Sequence, residues 1–256
     1  MLLNGKVCVI AGAGSPRGIG HATARLFAEH GATLVMLDIA IDEPSVRALQ
    51  SAVTGVTGRE PQVHAMRCDI TRPEDCRRVI GEVVERCGTI DCLVNSAGIV
   101  RGTPMLSIEE DEYQRIMDVN LRGAFNLCQA VLPVMASRGA GSIVNLSSSA
   151  AQRGGGLVGG AHYAAAKGGI LGLTRTIARE FGPRGIRANI VCPSMIETSM
   201  LDGLPADRLK DILDAIPLQR AGTPREAAGA CLFLASELGG FVTGATIDVN
   251  GGSHIH

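Results

Sequence analysis

Seven short apolar runs, each followed by a longer stretch of helical periodicity, constrain this chain more than any other feature. The runs are Val7–Ala11, Thr33–Leu37, Val63–Arg67, Cys92–Asn95, Ser142–Leu146, Arg187–Val191 and Thr246–Val249. Helical stretches fall between them at Gly20–His30, Pro44–Thr54, Pro73–Cys87, Asp111–Ser137, His162–Phe181 and Pro224–Ser236. Strands alternating with helices of this length imply βαβ units and a parallel sheet. Val7-Cys8-Val9-Ile10-Ala11 is apolar without a break, as a strand covered on both faces requires. Right-handed crossovers then predict an α/β fold: a doubly wound sheet of seven parallel strands with helices on both faces. One domain, residues 1–256, suits a chain of this length. Apolar residues make up 46% of it, enough for such a core, but there is no Trp and only two Tyr. The core must therefore be aliphatic, and the position of each tyrosine carries weight.

Several function classes are disfavoured at once. The formal net charge is −1 with no block of like charge, so neither nucleic acid nor a membrane surface is an expected partner. The first apolar run is too short for a signal-peptide core or a membrane span. Eight cysteines show no CxxC pair, and six histidines show no HExxH pattern. The expectation is small buried thiols in a reducing cytoplasm, and no metal.

The first strand runs into Gly12-Ala13-Gly14-Ser15-Pro16-Arg17-Gly18-Ile19-Gly20, and a helix follows. Glycines permit a tight turn and let backbone N–H groups approach a pyrophosphate, and the helix N-terminus favours the anion. The GxGxxG spacing is not met, because Arg17 stands where its third glycine would be. The second strand leads to Asp38, whose carboxylate can accept hydrogen bonds from the adenosine ribose and would repel a 2′-phosphate. The following Ile39, Ala40 and Ile41 offer no cation to offset that. NAD is the expected cofactor. NADP is the alternative, since Arg17 stands within reach of a 2′-phosphate.

Tyr163 and Lys167 are four residues apart at the start of a helical stretch, so they share one helix face. A free phenol titrates near pH 10, and making it a base at neutrality takes roughly 4 kcal/mol. A nearby ammonium in a partly dry cleft can supply much of that. Spacing alone does not establish such a partnership. Context adds to it: the fifth strand ends in Ser147-Ser148-Ser149, where a hydroxyl can hold a substrate oxygen. Asn120 is an amide inside a long helix, and holding a water beside Lys167 would explain it. Asn95-Ser96-Ala97-Gly98 ends the fourth strand, where an edge of the cofactor would pass.

With these residues in this order, the sequence resembles the short-chain dehydrogenase/reductase family over nearly its whole length, from Gly5-Lys6-Val7 to Asp248-Val249-Asn250-Gly251-Gly252. The resemblance implies a single-domain Rossmann fold and a catalytic tetrad of Asn120, Ser148, Tyr163 and Lys167. It implies that Tyr163 exchanges the hydroxyl proton and Ser148 holds the substrate oxygen. Lys167 would lower the tyrosine pKa and bind the nicotinamide ribose, and Asn120 would anchor a relay water. It places Gly12, Ser15, Arg17, Gly18, Ile19 and Gly20 at the phosphates, Asp38 at the ribose, and Asp69 and Ile70 at adenine. Asn95, Ala97 and Gly98 would border the cofactor. Pro193, Ile196 and Thr198 would meet its carboxamide and phosphates. Family members commonly pair the Asp111–Ser137 and His162–Phe181 helices between subunits, so a homotetramer, or failing that a homodimer, is expected.

Four departures from the family pattern stand out. The glycine loop is two residues longer, through Pro16-Arg17 or their neighbours. Ser148 lies fifteen residues before Tyr163, where thirteen is usual, which leaves Ser147 and Ser149 open as the acting hydroxyl. The extra length is assigned to Gln152–Gly160. Ser96 replaces a common asparagine, and Ser194 replaces the usual glycine after Pro193. His162 is read as a solvated helix-start residue. Met195, Met200, Leu201, Leu204 and Ile212 among charges fit a mobile lid. Arg175 and Arg179 are read as solvent-facing, or as serving an acyl-carrier partner.

The leading expectation is an NAD(H)-linked oxidoreductase acting on a small-molecule secondary alcohol or ketone. A 3-oxoacyl carrier-protein reductase using NAD(P)H is the alternative enzyme. A non-catalytic NAD sensor or scaffold is the alternative from another class.

Overall fold

The computed structural model describes residues 1–155, 158–202 and 205–255. The expected loop Gln152–Gly160 and the expected lid residue Leu204 thus fall partly or wholly outside the described residues. The strands are β1 (Val7–Ala11), β2 (Thr33–Asp38), β3 (Val63–Arg67), β4 (Cys92–Asn95), β5 (Gly141–Leu146), β6 (Ile186–Pro193) and β7 (Thr246–Val249). They form one sheet in the order β3-β2-β1-β4-β5-β6-β7, and every pairing is parallel.

The α-helices of the described residues are α1 (Ile19–Glu29), α2 (Glu43–Thr57), α3 (Pro73–Cys87), α4 (Glu110–Met117), α5 (Gly123–Arg138), α6 (Ala150–Arg153), α7 (Ala161–Phe181), α8 (Ala206–Asp214) and α9 (Pro224–Ala235). Side chains alternate across a strand, so β1 feeds two cores. Val7, Val9 and Ala11 join one with residues of α3, α5 and α7. Cys8 and Ile10 join the other with residues of α1, α2 and α9. Phe27 is a fully buried aromatic among otherwise aliphatic large side chains and Met, as the scarcity of aromatics requires. Winding reverses between β1 and β4, and the crevice at their carboxyl ends is where such sheets bind ligands.

Two expectations need correction. The single helix Asp111–Ser137 is divided: a wider π turn, Asp118–Arg122, separates α4 from α5. Within it the Asn120 amide donates to Ile116 O and to Ile99 O, 2.9 Å each, and accepts from Ile99 N at 3.3 Å. The wide turn turns a helical amide toward the loop after β4, a local use typical of π-bulges. His162, expected in solvent, is buried. Its Nε2 lies 2.9 Å from Glu112 Oε1, so α4 covers the start of α7. Arg175 and Arg179 are exposed, as expected.

Candidate active site

Gly12 leaves β1 with φ +78°, and a Cβ there would lie 2.5 Å from Ala97 N. The turn therefore brings the glycine loop against the end of β4, as only a residue without a side chain permits. Gly20 serves the same closeness one turn later, since a Cβ would overlap Gly12 O. The α1 N-cap, Gly18, supplies no side-chain hydrogen bond, and the first turn holds no acidic residue. Its backbone N–H groups are thus left for an outside anion. A Gly12→Ala substitution should lower stability by more than about 1 kcal/mol, together with cofactor affinity. Thermal unfolding with and without NADH reads both, and an unchanged melting temperature would contradict the close approach.

A groove follows this loop. Gly12, Ser15, Gly18 and Ile19 form one side, Asp38, Asp69 and Ile70 one end, and Ala97, Gly98 and Thr198 continue along it. These residues suit a dinucleotide: open helix N–H groups for phosphates, and a carboxylate where a ribose would lie. Asp38 Oδ2 accepts from Gly14 N at 2.9 Å and Oδ1 from Ala40 N at 3.0 Å, which fixes the carboxylate and leaves lone pairs on both oxygens. Arg17 is turned elsewhere. Its guanidinium forms a two-point pair with Asp202, 3.0 and 2.9 Å, and it does not line the groove. The longer loop instead reaches the segment after β6.

A second cavity holds Ser148, Tyr163 and Lys167 on its wall, and meets the groove at Ile19, Ser96, Gly98, Thr198 and Met200. Three serines after β5 take three roles. Ser147 Oγ donates to Lys167 O at 2.7 Å, and Ser149 Oγ donates to Ser194 Oγ at 3.1 Å. Ser148 stands beside the Tyr163 phenol, near enough for its hydroxyl to pull the phenol's pKa down. Lys167 Nζ donates to Leu146 O at 3.0 Å and lies 5.9 Å from the Tyr163 ring centre. Pro193 and Ile196 line this cavity.

The electrostatics reverse one expectation. Burial pushes the Tyr163 phenol above its ordinary value, and the Ser148 hydroxyl only partly offsets that. Burial pulls Lys167 down to about 8. In the chain alone, desolvation outweighs any help from the ammonium, and Tyr163 rests as a neutral phenol.

Two other expected site residues sit behind the walls. Asn95 donates to Asn145 Oδ1 at 2.8 Å, inside the core, and its own Oδ1 is buried without a partner. Asn120 lines neither cavity, although Gly98 is wedged between its Oδ1 and Lys167 Nζ. Sequence reasoning missed Leu37, Cys68 and Thr71 in the groove and Val100 in the second cavity, and marked Arg153 and Val158 only as members of the longer stretch Gln152–Gly160. Strand-end position was the signal for Leu37 and Cys68. No sequence signal marked Thr71 or Val100.

A family model described as enoyl-(acyl carrier protein) reductase matches residues 12–254. A short-chain type dehydrogenase/reductase of Sinorhizobium fredii, y4mP, is 47% identical over 258 aligned positions, covering all of both chains. A 3-oxoacyl-[acyl-carrier-protein] reductase of Thermotoga maritima is 42% identical, over 98% of this chain and 99% of its own. The crystal structure of levodione reductase superposes with a TM-score of 0.89 at 31% identity, over 98% of each chain. This chain belongs to the short-chain dehydrogenase/reductase family.

Proposed function

We propose that this oxidoreductase transfers a hydride between NAD(H) and a secondary alcohol or its ketone, with Tyr163 as the acid/base. The observation that carries the reading is that Ser148, Tyr163 and Lys167 line one cavity, which meets the dinucleotide groove at Ile19, Ser96, Gly98, Thr198 and Met200. A bound nicotinamide ring would supply or accept the hydride and, in its oxidised form, would add positive charge to the site. In reduction, Ser148 orients the carbonyl oxygen and the neutral Tyr163 phenol gives it a proton, so C=O gains one hydride and one proton. In oxidation the phenolate takes the alcohol proton. Lys167 opposes the negative charge then left on Tyr163. Asn120 holds the Ile99 segment behind the ammonium. A sensor would have no use for a hydroxyl and an ammonium set beside a buried phenol.

NAD rather than NADP rests on Asp38. A charge pair at about 4 Å is worth roughly 4 kcal/mol at an effective dielectric constant near 20, less in salt. Among the described residues Arg115 is the one Lys or Arg that lines the groove, and Asp38 is bonded only to backbone N–H groups. NADH fluorescence titration should therefore show NADH binding about 100-fold more tightly than NADPH. Tighter NADPH would overturn the Asp38 argument. It would favour a second reading, 3-oxoacyl carrier-protein reduction, which the Thermotoga maritima relative supports by name. A screen of NAD⁺ reduction over polyols, hydroxy acids, dihydrodiols and steroids tests the activity itself, and no turnover of any alcohol or ketone would contradict it.

We infer a reducing, cytoplasmic setting from eight free cysteines, and a homotetramer or homodimer. No described helix is long and apolar enough to cross a membrane. Exposed Phe125 on α5 borders a shallow depression with Leu173 of α7. That supports pairing through these two helices.

A further inference from the structure

We propose that Arg153 selects substrates that carry a carboxylate, so that the preferred ketone or alcohol is an oxo or hydroxy acid. This rests on the hydride-transfer reading above and names its substrate class.

Arg153 ends α6, the short helix that starts two residues after Ser148. Its side chain lines the same cavity as Ser148 and Tyr163. No Asp or Glu lines that cavity among the described residues; its charged members are Arg153 and Lys167. Lys167 is committed to Leu146 O and to the space beside the phenol. Arg153 makes one long hydrogen bond, Nη1 to Ser253 O at 3.3 Å, and no ion pair among the described residues. Asp207 and Asp211 line an adjoining cavity together with Arg153 and Arg208, but neither is paired with Arg153. Arg153 is an exposed residue that lines both cavities, and its guanidinium keeps most of its five N–H donors without a protein partner.

A second donor stands beside it. Ser194 lines both cavities. Its Oγ accepts from Ser149 at 3.1 Å and from Ser253 at 3.0 Å, which leaves its own proton to offer. The same cavity also has apolar wall residues, among them Val158, Met195 and Leu201. The cavity therefore suits a substrate with a carbonyl at Ser148 and Tyr163, an apolar portion, and an anion at Arg153. A planar carboxylate matches the arginine fork. The two stretches in which this chain departs from the family pattern, between Ser148 and Tyr163 and at Ser194, meet in this cavity. The reacting part of a 3-oxoacyl thioester carries no carboxylate and would leave Arg153 unanswered.

The test uses the full chain with NADH and a length series: 3-oxobutanoate, 4-oxopentanoate, 5-oxohexanoate and 6-oxoheptanoate, each beside its methyl ester. At least one acid should exceed its ester in kcat/KM by about 10- to 100-fold, mainly through KM. Arg153→Met should bring that ratio close to one, and Arg153→Lys should keep part of it. Esters turning over as well as acids at every length would overturn the proposal while leaving hydride transfer intact. So would a ratio that survives in Arg153→Met. Failure of every acid and every ester would overturn both the proposal and the ketone reading beneath it.

Discussion

A Tyr163→Phe protein is expected to bind NADH within about twofold of the native chain and to lose roughly 100- to 10,000-fold in kcat. That range is the usual worth of a positioned proton donor. The substitution removes one oxygen and keeps the ring, which packs against Ile116 and Ala166 in a small cluster of its own. Folding should survive, because Tyr163 lines an open cavity and the ring that packs against its neighbours is kept. The chain has no Trp, so the fluorescence of NADH itself reports binding cleanly. Turnover that persists at more than about a tenth of the native rate would mean that another group moves the proton.

The second large effect concerns stability. Lys167 is buried, and its pKa falls from 10.5 to about 8. Each unit is about 1.4 kcal/mol, so burying the ammonium costs on the order of 3 kcal/mol below pH 8. Lys167→Met keeps the length of the side chain and removes the charge. It leaves Leu146 O without its 3.0 Å donor, a loss of about 1 kcal/mol. The variant should therefore be inactive yet more stable than the native protein by about 2 kcal/mol near pH 7. The folded chain holds the Lys167 proton less tightly than the unfolded chain does. The native protein thus carries the full burial cost below pH 8 and sheds it as pH rises toward 10.5. Buried thiols also titrate at high pH, and they are common to both proteins, so the difference between variant and native isolates Lys167. Urea unfolding at pH 7 and pH 10 should show the gap closing. A variant less stable at pH 7, or a gap that widens with pH, would show that the ammonium is not desolvated at this site.

Much of this was legible in the sequence because it is periodic. Val7–Ala11 is apolar on both faces, and the structure gives it a core on each side. Helix ends were legible where the chemistry is local, as at Pro73 and Gly88, which open and close α3. The division of Asp111–Ser137 was not. It depends on the Asn120 amide reaching Ile99, a partner twenty-one residues away. The burial of His162 was hidden for the same reason, since Glu112 covers it from another helix. Among the three serines, spacing could not choose. The fold assigns Ser147 to a backbone carbonyl and Ser149 to Ser194, and sets Ser148 against the phenol. Charge was the least legible of all. Tyr163 and Lys167 were visible as a pair, but their titration follows burial, which a spacing of four residues does not encode. Arg17 and Arg153 look alike in the sequence. One is paired with Asp202, and the other lines the cavity without a carboxylate.

Isotope transfer tests the central claim most directly. With NADH deuterated at nicotinamide C4 and a turned-over ketone in ordinary water, the account predicts deuterium on the carbinol carbon of the product. In deuterated water with ordinary NADH, that carbon should carry none, because solvent enters only through the exchangeable phenol proton. Solvent deuterium on the carbon, or no label passed from the dinucleotide, would contradict it.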